Sequence, residues 1–222
     1  MFEIVHKLDI ATQRELLASL KEALALSPLH QMLMPARGIA RKVNCTGICE
    51  ECWIGNPGDP RMKVESTNLG AWGWVSAKCG YHYIQQHPTT NKAFPAIPAL
   101  IHELTEDIAR DCGYYIDPQS AYINVYAADG RLGLHQDNSE TTMVPPVISF
   151  SLGESCIFLR GGMTRSDPTE KLTLQSGDIM LMGGEHRLAF HGVERILPGT
   201  MPEGLGLKAG RRINITVRQY EE

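Results

Sequence analysis

The sequence has no long hydrophobic run, no surplus of basic residues and no repeated or low-complexity tract. No apolar stretch approaches the roughly 20 residues that a transmembrane helix needs. The first residues show neither the apolar segment of a signal peptide nor the Arg- and Ser-rich pattern of a transit peptide. We therefore expect a cytoplasmic protein with no membrane partner.

The chain also lacks an excess of positive charge. It contains 21 Lys and Arg against 25 Asp and Glu, a formal net charge of −4 at pH 7. Taken alone, this balance argues against a general nucleic-acid binder, which usually carries a basic surplus. A local basic stretch is nevertheless present, because Arg37, Arg41 and Lys42 lie between Met34 and Cys49 with no acid among them.

Length, composition and cysteine content set further limits. The 222 residues, 43% of them hydrophobic, fit one large domain and exclude a wholly disordered chain, a collagen and a coiled coil. The six cysteines are expected to be reduced thiols. For the cluster of Cys45, Cys49 and Cys52 we favour ordinary thiols in a loop. The alternative is a structural zinc or an iron–sulfur cluster with a fourth ligand from Cys79 or His82.

The N-terminal half combines helices with an irregular region. Thr12 and Glu15 fit a capping box that opens a first helix, and Pro28 would end it. Between residues 34 and 98 the many Gly and Pro residues predict loops and short strands. A second helix is predicted from Pro98 to Cys112, with Gly113 as its stop.

After Gly113 the chain alternates between short β-like runs and turns. Many short strands at this spacing predict a sandwich or barrel, jelly rolls included. The predicted strands are Ala121–Tyr126, Leu132–Gln136, Val147–Leu152, Cys156–Leu159, Leu172–Leu174, Asp178–Met182, Leu188–His191 and Arg212–Arg218.

The most informative local motif is His135-Gln136-Asp137. Residues i and i+2 of a strand point to the same side, so His135 and Asp137 can face one point. With a third nitrogen ligand they would form the 2-His-1-carboxylate triad that binds non-haem Fe(II) and leaves coordination positions open. His191 is a candidate for that ligand. The alternative is a satisfied polar pair at a strand end.

The last strand-like run, Arg212–Arg218, adds candidate ligand-binding residues to such a metal site. On a strand its even positions share one face and its apolar odd positions share the other. Two guanidinium groups on one face suit a dicarboxylate, because Arg pairs bidentately with carboxylates. A surface strand with solvated arginines is the alternative. The even positions are Arg212, Asn214, Thr216 and Arg218.

Together these motifs resemble the Fe(II)/2-oxoglutarate-dependent dioxygenases and, within them, the AlkB family of nucleic-acid dealkylases. The resemblance covers the C-terminal half and extends more weakly back to Gln31-Met32. The aromatic-His-Gly context of His191 matches the family and favours it over His186 as ligand. Further matching runs are Asn124-Val125-Tyr126, Val147–Gly153, Arg165–Pro168, Ser176-Gly177-Asp178 and Gly183-Gly184-Glu185.

The resemblance implies a mainly β fold with a double-stranded β-helix (jelly-roll) core. It divides one compact unit into N-terminal helices and a nucleotide-recognition lid at 1–112, with a Cys-containing insertion at 44–62, and an oxygenase core at 113–222. Fe(II) would be bound by His135, Asp137 and His191. The 2-oxoglutarate carboxylates would be bound by Arg212 and Arg218, assisted by Asn124, Tyr126 and Asn214. The substrate base would contact Trp74, Tyr81, Tyr83, Ser139 and Arg165.

The implied activity is oxidative demethylation of bases such as 1-methyladenine and 3-methylcytosine in single- or double-stranded DNA, and also RNA, by a monomeric enzyme. 2-Oxoglutarate and O₂ would become succinate and CO₂, and the methyl group would leave as formaldehyde. Two departures from the family pattern follow the His-x-Asp motif. Asn138 replaces a basic residue, and Ser139 replaces an acid that would contact the substrate.

These departures favour an alternative in which the oxygenase acts on tRNA, protein or a small molecule. A non-enzymatic metal-binding jelly roll is the second alternative, and the paired arginines argue against it. Because binding to a short single strand needs only a few phosphate contacts and base stacking, a small basic lid is compatible with the negative net charge. Lys63 and Arg165 would contribute to that lid.

Overall fold

The computed structural model describes residues 1–35 and 55–221. Within these residues, helix α1 spans Ile10–Leu26, helix α2 spans Ala99–Asp111 and a short 3₁₀-helix spans Gly184–His186. The strands are β1 (Phe2–Lys7), β2 (His30–Leu33), β3 (Arg61–Gly70), β4 (Gly73–Ala77), β5 (Gly80–Ile84), β6 (Ser120–Tyr126), β7 (Leu132–His135), β8 (Val147–Gly153), β9 (Ser155–Arg160), β10 (Glu170–Leu174), β11 (Asp178–Met182), β12 (His191–Leu197) and β13 (Arg212–Arg218).

Two antiparallel sheets lie face to face. The large sheet has the order β1-β11-β8-β13-β6-β3-β2, and the small sheet has the order β10-β9-β12-β7. Apolar side chains from both sheets, including Val147, Met180, Phe158 and Val193, fill the space between them. Strands β4 and β5 form a separate hairpin. The predicted mainly β, jelly-roll fold is confirmed.

Strand β13 lies between β8 and β6 in the large sheet. Ile213, Ile215 and Val217 pack in one cluster with Leu16 of α1 and Ile101 of α2, so the helices cover this face. The opposite face looks into the space between the sheets, where a cavity is lined by the even positions Arg212, Asn214, Thr216 and Arg218. The predicted alternation along this strand is confirmed.

The N-terminal segment differs from the prediction at two points. A strand, β1, precedes the helix and pairs antiparallel with β11 at the sheet edge. The helix begins one turn earlier than the Thr12–Glu15 capping box predicted, because Asp9 is the N-cap and accepts a hydrogen bond from the Thr12 backbone N–H at 2.8 Å. The predicted end before Pro28 and the second helix are confirmed.

The prediction of loops and short strands between residues 34 and 98 was wrong for β3. This ten-residue strand pairs with β6 from Glu65 to Gly70. Two of its polar residues, Thr67 and Asn68, are buried and hydrogen bonded. The Thr67 hydroxyl lies 2.7 Å from the Ser27 hydroxyl, and the Asn68 amide bonds both backbone groups of Trp74.

The predicted strand Leu188–His191 was wrong except for its last residue, because β12 begins at His191. The preceding residues form a turn, in which the Arg187 N–H donates to the Gly184 carbonyl and the Ala189 N–H donates to the His186 carbonyl. No helix in the described part of the chain is long and apolar enough to cross a membrane.

Candidate metal and co-substrate site

Three potential metal ligands meet where β7 and β12 pair. His135, the last residue of β7, lies directly opposite His191, the first residue of β12. Asp137 lies just beyond the end of β7. The Nε2 atoms of His135 and His191 are each 3.8 Å from a carboxylate oxygen of Asp137. The structure therefore brings the predicted triad together, with one ligand atom of each residue within 4.8 Å of the others.

Backbone carbonyls fix the orientation of both imidazoles. Nδ1 of His135 lies 2.9 Å from the Gly133 carbonyl oxygen, and Nδ1 of His191 lies 3.0 Å from that of Ala189. Because a carbonyl oxygen only accepts hydrogen bonds, each Nδ1 carries the hydrogen, and Nε2 is the nitrogen left to bind a metal. Two such imidazoles and a carboxylate are a donor set that fits Fe(II).

The electrostatics favour the metal-binding protonation states. Burial by itself raises the pKa of Asp137, but Arg218, the two imidazoles and Arg187 outweigh it and hold this pKa well below its usual value. Burial and the neighbouring His135 lower the pKa of His191 to about 4, against the opposing effect of Asp137. At neutral pH the site therefore contains a carboxylate and a neutral His191, as cation binding requires.

Arg218 is engaged by the metal-ligand carboxylate. Its Nε and Nη2 atoms donate to Oδ2 of Asp137 at 3.2 and 2.8 Å, and its Nε also lies 3.5 Å from Glu140. Arg187 donates to the backbone carbonyl of Asp137 at 2.7 Å and lies 3.4 Å from the Glu140 carboxylate. All four side chains are buried. They form a network of two guanidinium groups and two carboxylates.

Arg212, at the other end of β13, has a different environment. Its Nη2 donates to the Ser151 hydroxyl at 2.8 Å and its Nη1 to the Glu154 carbonyl at 3.3 Å. Its Nε has no acceptor within hydrogen-bonding distance among the described residues, although the residue is 1% exposed. An unsatisfied buried donor is unfavourable, so this position fits a carboxylate ligand.

The cavity connects Arg212 with the triad. It holds about 530 Å³ of empty space, part of it open to solvent. On β6, Asn124 pairs opposite Asn214 and Tyr126 opposite Arg212. All five residues predicted to bind 2-oxoglutarate line this one cavity, together with the three predicted metal ligands. Both guanidinium groups of β13 therefore line the same cavity as the triad.

Aromatic side chains of the β4–β5 hairpin lie next to the cavity. Trp74 stacks on Tyr81, with ring centroids 5.2 Å apart and an interplanar angle of 29°. Trp74 also contacts Tyr122, a cavity-lining residue, at a centroid distance of 5.1 Å. Tyr83 is half-buried, and its hydroxyl donates to Glu140 at 2.6 Å.

The remaining predicted substrate residues are more dispersed. The Trp74 indole N–H donates to the Ser139 hydroxyl at 3.4 Å. Arg165 lies over the ring of Phe190, with its Cζ 5.3 Å from the ring centroid. His186, the rejected candidate ligand, is half-exposed and lies 3.6 Å from Glu185.

Several sequence predictions fall outside the described residues. They concern the cysteine cluster and the basic stretch of the lid, at Cys45, Cys49, Cys52, Arg37, Arg41 and Lys42. The two candidates for a fourth ligand are described and lie together in the hairpin, where Cys79 Sγ is 3.3 Å from His82 Nε2.

The sequence analysis missed Glu140 and Arg187, which complete the charged network around Asp137. Glu140 follows the His-x-Asp motif by three residues, and this proximity was an available signal. Nothing in the local sequence of Arg187 indicates that it folds back from the turn before His191 to contact Asp137.

Comparison with known proteins places this geometry in a family. The family model of the 2OG-Fe(II) oxygenase superfamily matches residues 4–218. The chain is 42% identical over 158 residues to an alpha-ketoglutarate-dependent dioxygenase AlkB homolog of Caulobacter vibrioides, covering 71% of this chain and 69% of that protein. It is 38% identical over 136 residues to human nucleic acid dioxygenase ALKBH1, covering 60% of this chain and 34% of that protein.

The solved structures include a similar fold. The structure of OsALKBH1 matches with a TM-score of 0.65 and 31% identity, over 71% of this chain and 78% of that chain. A match along nearly the whole chain, together with the relative's identity and coverage, is sufficient to assign the family. The chain therefore belongs to the AlkB family of 2OG-Fe(II) oxygenases, dioxygenases that use Fe(II) and 2-oxoglutarate.

Proposed function

We propose that this dioxygenase oxidatively demethylates N-alkylated nucleobases, of the 1-methyladenine and 3-methylcytosine type, in DNA and also in RNA. The observation that carries the proposal is the position of the Trp74–Tyr81 stack beside a cavity that contains the His135, Asp137 and His191 triad. Relatives whose names specify nucleic acid or DNA as substrate support this choice.

The residues divide into three roles in this proposal. His135, Asp137 and His191 would hold Fe(II) through two imidazole nitrogens and a carboxylate oxygen. Arg212 would bind the far carboxylate of 2-oxoglutarate with its unsatisfied N–H. Arg218 would orient Asp137, and the Arg218 guanidinium charge would attract the 2-oxoglutarate carboxylate nearer the triad. Neighbouring groups that assist in binding 2-oxoglutarate would be Asn124, Tyr126 and Asn214.

When bound, Fe(II) with 2-oxoglutarate and O₂ supplies the oxidation of a C–H bond, with succinate and CO₂ as products. The protein then has to deliver an N-methyl group to that position. A base inside a duplex cannot reach it, so the target would leave its stack and be held by Trp74 and Tyr81. An electron-rich aromatic pocket suits a cationic methylated base. The hydroxymethylated base then releases formaldehyde.

The two parts of the chain would share these tasks. Residues 1–112 would supply the helices and the nucleotide-contacting hairpin, and residues 113–222 would supply the oxygenase core, although both parts contribute strands to the large sheet. Single strands would be the preferred substrate, because their bases are already unstacked. We expect the enzyme to act as a monomer.

The test is a turnover assay. Purified protein is incubated with Fe(II), ascorbate, 2-oxoglutarate and a panel of methylated oligonucleotides, and mass spectrometry follows succinate and the methyl group. We expect coupled production of succinate and repaired base. His135→Ala should abolish both, because the triad loses one of its two nitrogen ligands. Glu185→Gln, a substitution of an exposed carboxylate, is the control and should retain activity.

The outcomes separate the candidate functions. Succinate without loss of the base methyl group would contradict the nucleobase assignment and favour a tRNA, protein or small-molecule substrate. Ser139 motivates this second candidate, because a hydroxyl at that position cannot offset the charge of a cationic base as a carboxylate would. Iron binding with no turnover of 2-oxoglutarate would favour a non-enzymatic metal-binding protein.

A further inference from the structure

Glu140 is a buried carboxylate that the proposed chemistry does not use. Its side chain is 1% exposed. The Tyr83 hydroxyl donates to its Oε1 at 2.6 Å, and the guanidinium groups of Arg218 and Arg187 lie 3.5 and 3.4 Å from its two oxygens. A buried charge is stable only with close partners of opposite charge or with hydrogen-bond donors. Here the partners connect Glu140 in two directions, to the metal ligand Asp137 and to the β4–β5 hairpin.

One direction leads to the metal ligand. Arg218 donates to the carboxylate of Asp137, and Arg187 donates to the backbone carbonyl of the same residue. With Glu140 ionised, two guanidinium groups face two carboxylates, and Asp137 keeps part of its charge available for a cation. Without it, both guanidinium groups would act on Asp137 alone. Because the network is buried, screening by solvent ions would weaken this effect only slightly.

The other direction leads to the hairpin. Tyr83 of β5 and Trp74 of β4 are directly opposite each other in the hairpin register. Each bonds to one of two consecutive residues, Trp74 to Ser139 and Tyr83 to Glu140. Tyr220 stacks on Tyr83 at a centroid distance of 4.4 Å and supports this arrangement. The segment after Asp137 therefore contacts both strands of the hairpin.

We propose that Glu140 is a positioning residue that links the β4–β5 hairpin to the metal site and sets the affinity of the triad for its cation. The inference rests on the proposed metal role of His135, Asp137 and His191. Glu140 contacts neither metal nor substrate in this proposal. It acts through Arg218 and Arg187 on Asp137, and Tyr83 holds it in place.

The first experiment titrates metal-free protein with Co(II), in the absence of 2-oxoglutarate and nucleic acid, and follows the visible Co(II) spectrum. Glu140→Gln keeps the volume and removes the charge, and it should lower the Co(II) affinity about tenfold. Glu140→Asp keeps the charge and should recover part of the loss. Glu185→Gln removes an exposed carboxylate and should bind Co(II) as the wild type does.

The results separate this inference from the function it rests on. If His135→Ala binds Co(II) as tightly as the wild type, the triad assignment itself fails. If His135→Ala loses Co(II) but Glu140→Gln keeps wild-type affinity, the triad stands and the role of Glu140 is overturned. A merely structural role would lower the melting temperature of the metal-free protein without changing Co(II) affinity, and that result would also overturn it.

A double-mutant cycle tests the link to the hairpin. Tyr83→Phe removes one hydrogen bond and should lower Co(II) affinity about threefold in the wild-type background. In the Glu140→Gln background the same change should have no effect, because the path from Tyr83 to Asp137 is already broken. Tyr115→Phe, at a side chain that is 78% exposed, is the matched control. Equal effects of Tyr83→Phe in both backgrounds would contradict the link.

Discussion

The two ends of β13 carry the same residue on the same face but in different environments. Arg218 bonds to the carboxylate of Asp137 and lies beside Glu140. Arg212 bonds to the neutral groups of Ser151 and Glu154 and leaves Nε without an acceptor among the described residues. One guanidinium is neutralised by the protein, and the other still has a donor to offer a ligand.

This difference shows that a paired-arginine pattern does not define two equal binding groups. Strand alternation placed both side chains in the cavity, but the partners that fold around them decide what each can do. The Arg218 end stabilises the metal ligand, and the Arg212 end is open to the co-substrate. Three substitutions along β13 test this division, from the largest expected effect to the smallest.

Arg218→Gln should have the largest effect. It leaves two buried carboxylates, Asp137 and Glu140, with Arg187 as their one remaining guanidinium partner among the described residues. Removing one member of a buried ion pair typically lowers the free energy of unfolding by about 3–5 kcal/mol. Urea unfolding of the metal-free protein measures this loss. Excess Mn(II) should recover part of it, because a bound cation supplies positive charge and stabilises the folded state.

The control for this substitution is Arg110→Gln, which removes an exposed arginine paired with Asp107 on α2. The free energy of unfolding of Arg110→Gln should stay near that of the wild type, because exposed ion pairs contribute little to stability. If Arg218→Gln unfolds at the same urea concentration as Arg110→Gln, the Asp137 network does not stabilise the fold and the comparison between the two ends is wrong.

Arg212→Gln should act on the co-substrate instead. Losing a charge-assisted hydrogen bond should raise the KM for 2-oxoglutarate by about tenfold or more, and Co(II) affinity should stay unchanged. Arg212→Lys keeps the charge but loses the planar fork, so an intermediate KM is expected. The KM for 2-oxoglutarate and the Co(II) titration are measured on the same preparations.

A second ligand sharpens this result. The 2-oxo acid 2-oxobutyrate has no far carboxylate, so the wild type should use it poorly and Arg212→Gln should discriminate less between it and 2-oxoglutarate. An equal loss of Co(II) affinity and 2-oxoglutarate affinity in Arg212→Gln would mean that both ends of β13 serve the metal.

Asn214→Ala should have the smallest effect. Its amide donates to the Ser149 hydroxyl at 2.7 Å and to the Phe150 carbonyl at 3.1 Å, and it accepts from Thr216 at 2.9 Å. These are neutral bonds, so their loss should raise the KM for 2-oxoglutarate by about threefold. An effect as large as that of Arg212→Gln would show that Asn214 binds the co-substrate directly.

The sequence predicted best what depends on local periodicity. The bounds of β11 and β13 match the prediction, and the face that each residue of β13 presents follows from alternation, which has the same period in every strand. The prediction failed where contacts between distant parts of the chain determine the structure. Thr67 and Asn68 lie in a region predicted as loops and short strands, because the local sequence does not reveal their bonding partners Ser27 and Trp74.

The candidate site divides in the same way. The motif spacing and the family resemblance named the three triad residues, and the fold brings them together. The contacts of Arg218 could not be read from its strand, because they depend on Glu140 and on the hairpin. Arg187 was not predicted for a related reason: it lies at the start of the turn before His191, where the sequence analysis predicted a strand from Leu188.

The adjacent bonds of Ser139 and Glu140 to the hairpin have an evolutionary consequence. Residue 139 bonds to Trp74 of the aromatic stack, while residue 140 is enclosed among arginines. A mutation at 139 can therefore alter which base is accepted without disturbing how the cation is held. Such a layout lets a lineage change its substrate range one residue at a time, while selection keeps the oxidation machinery intact.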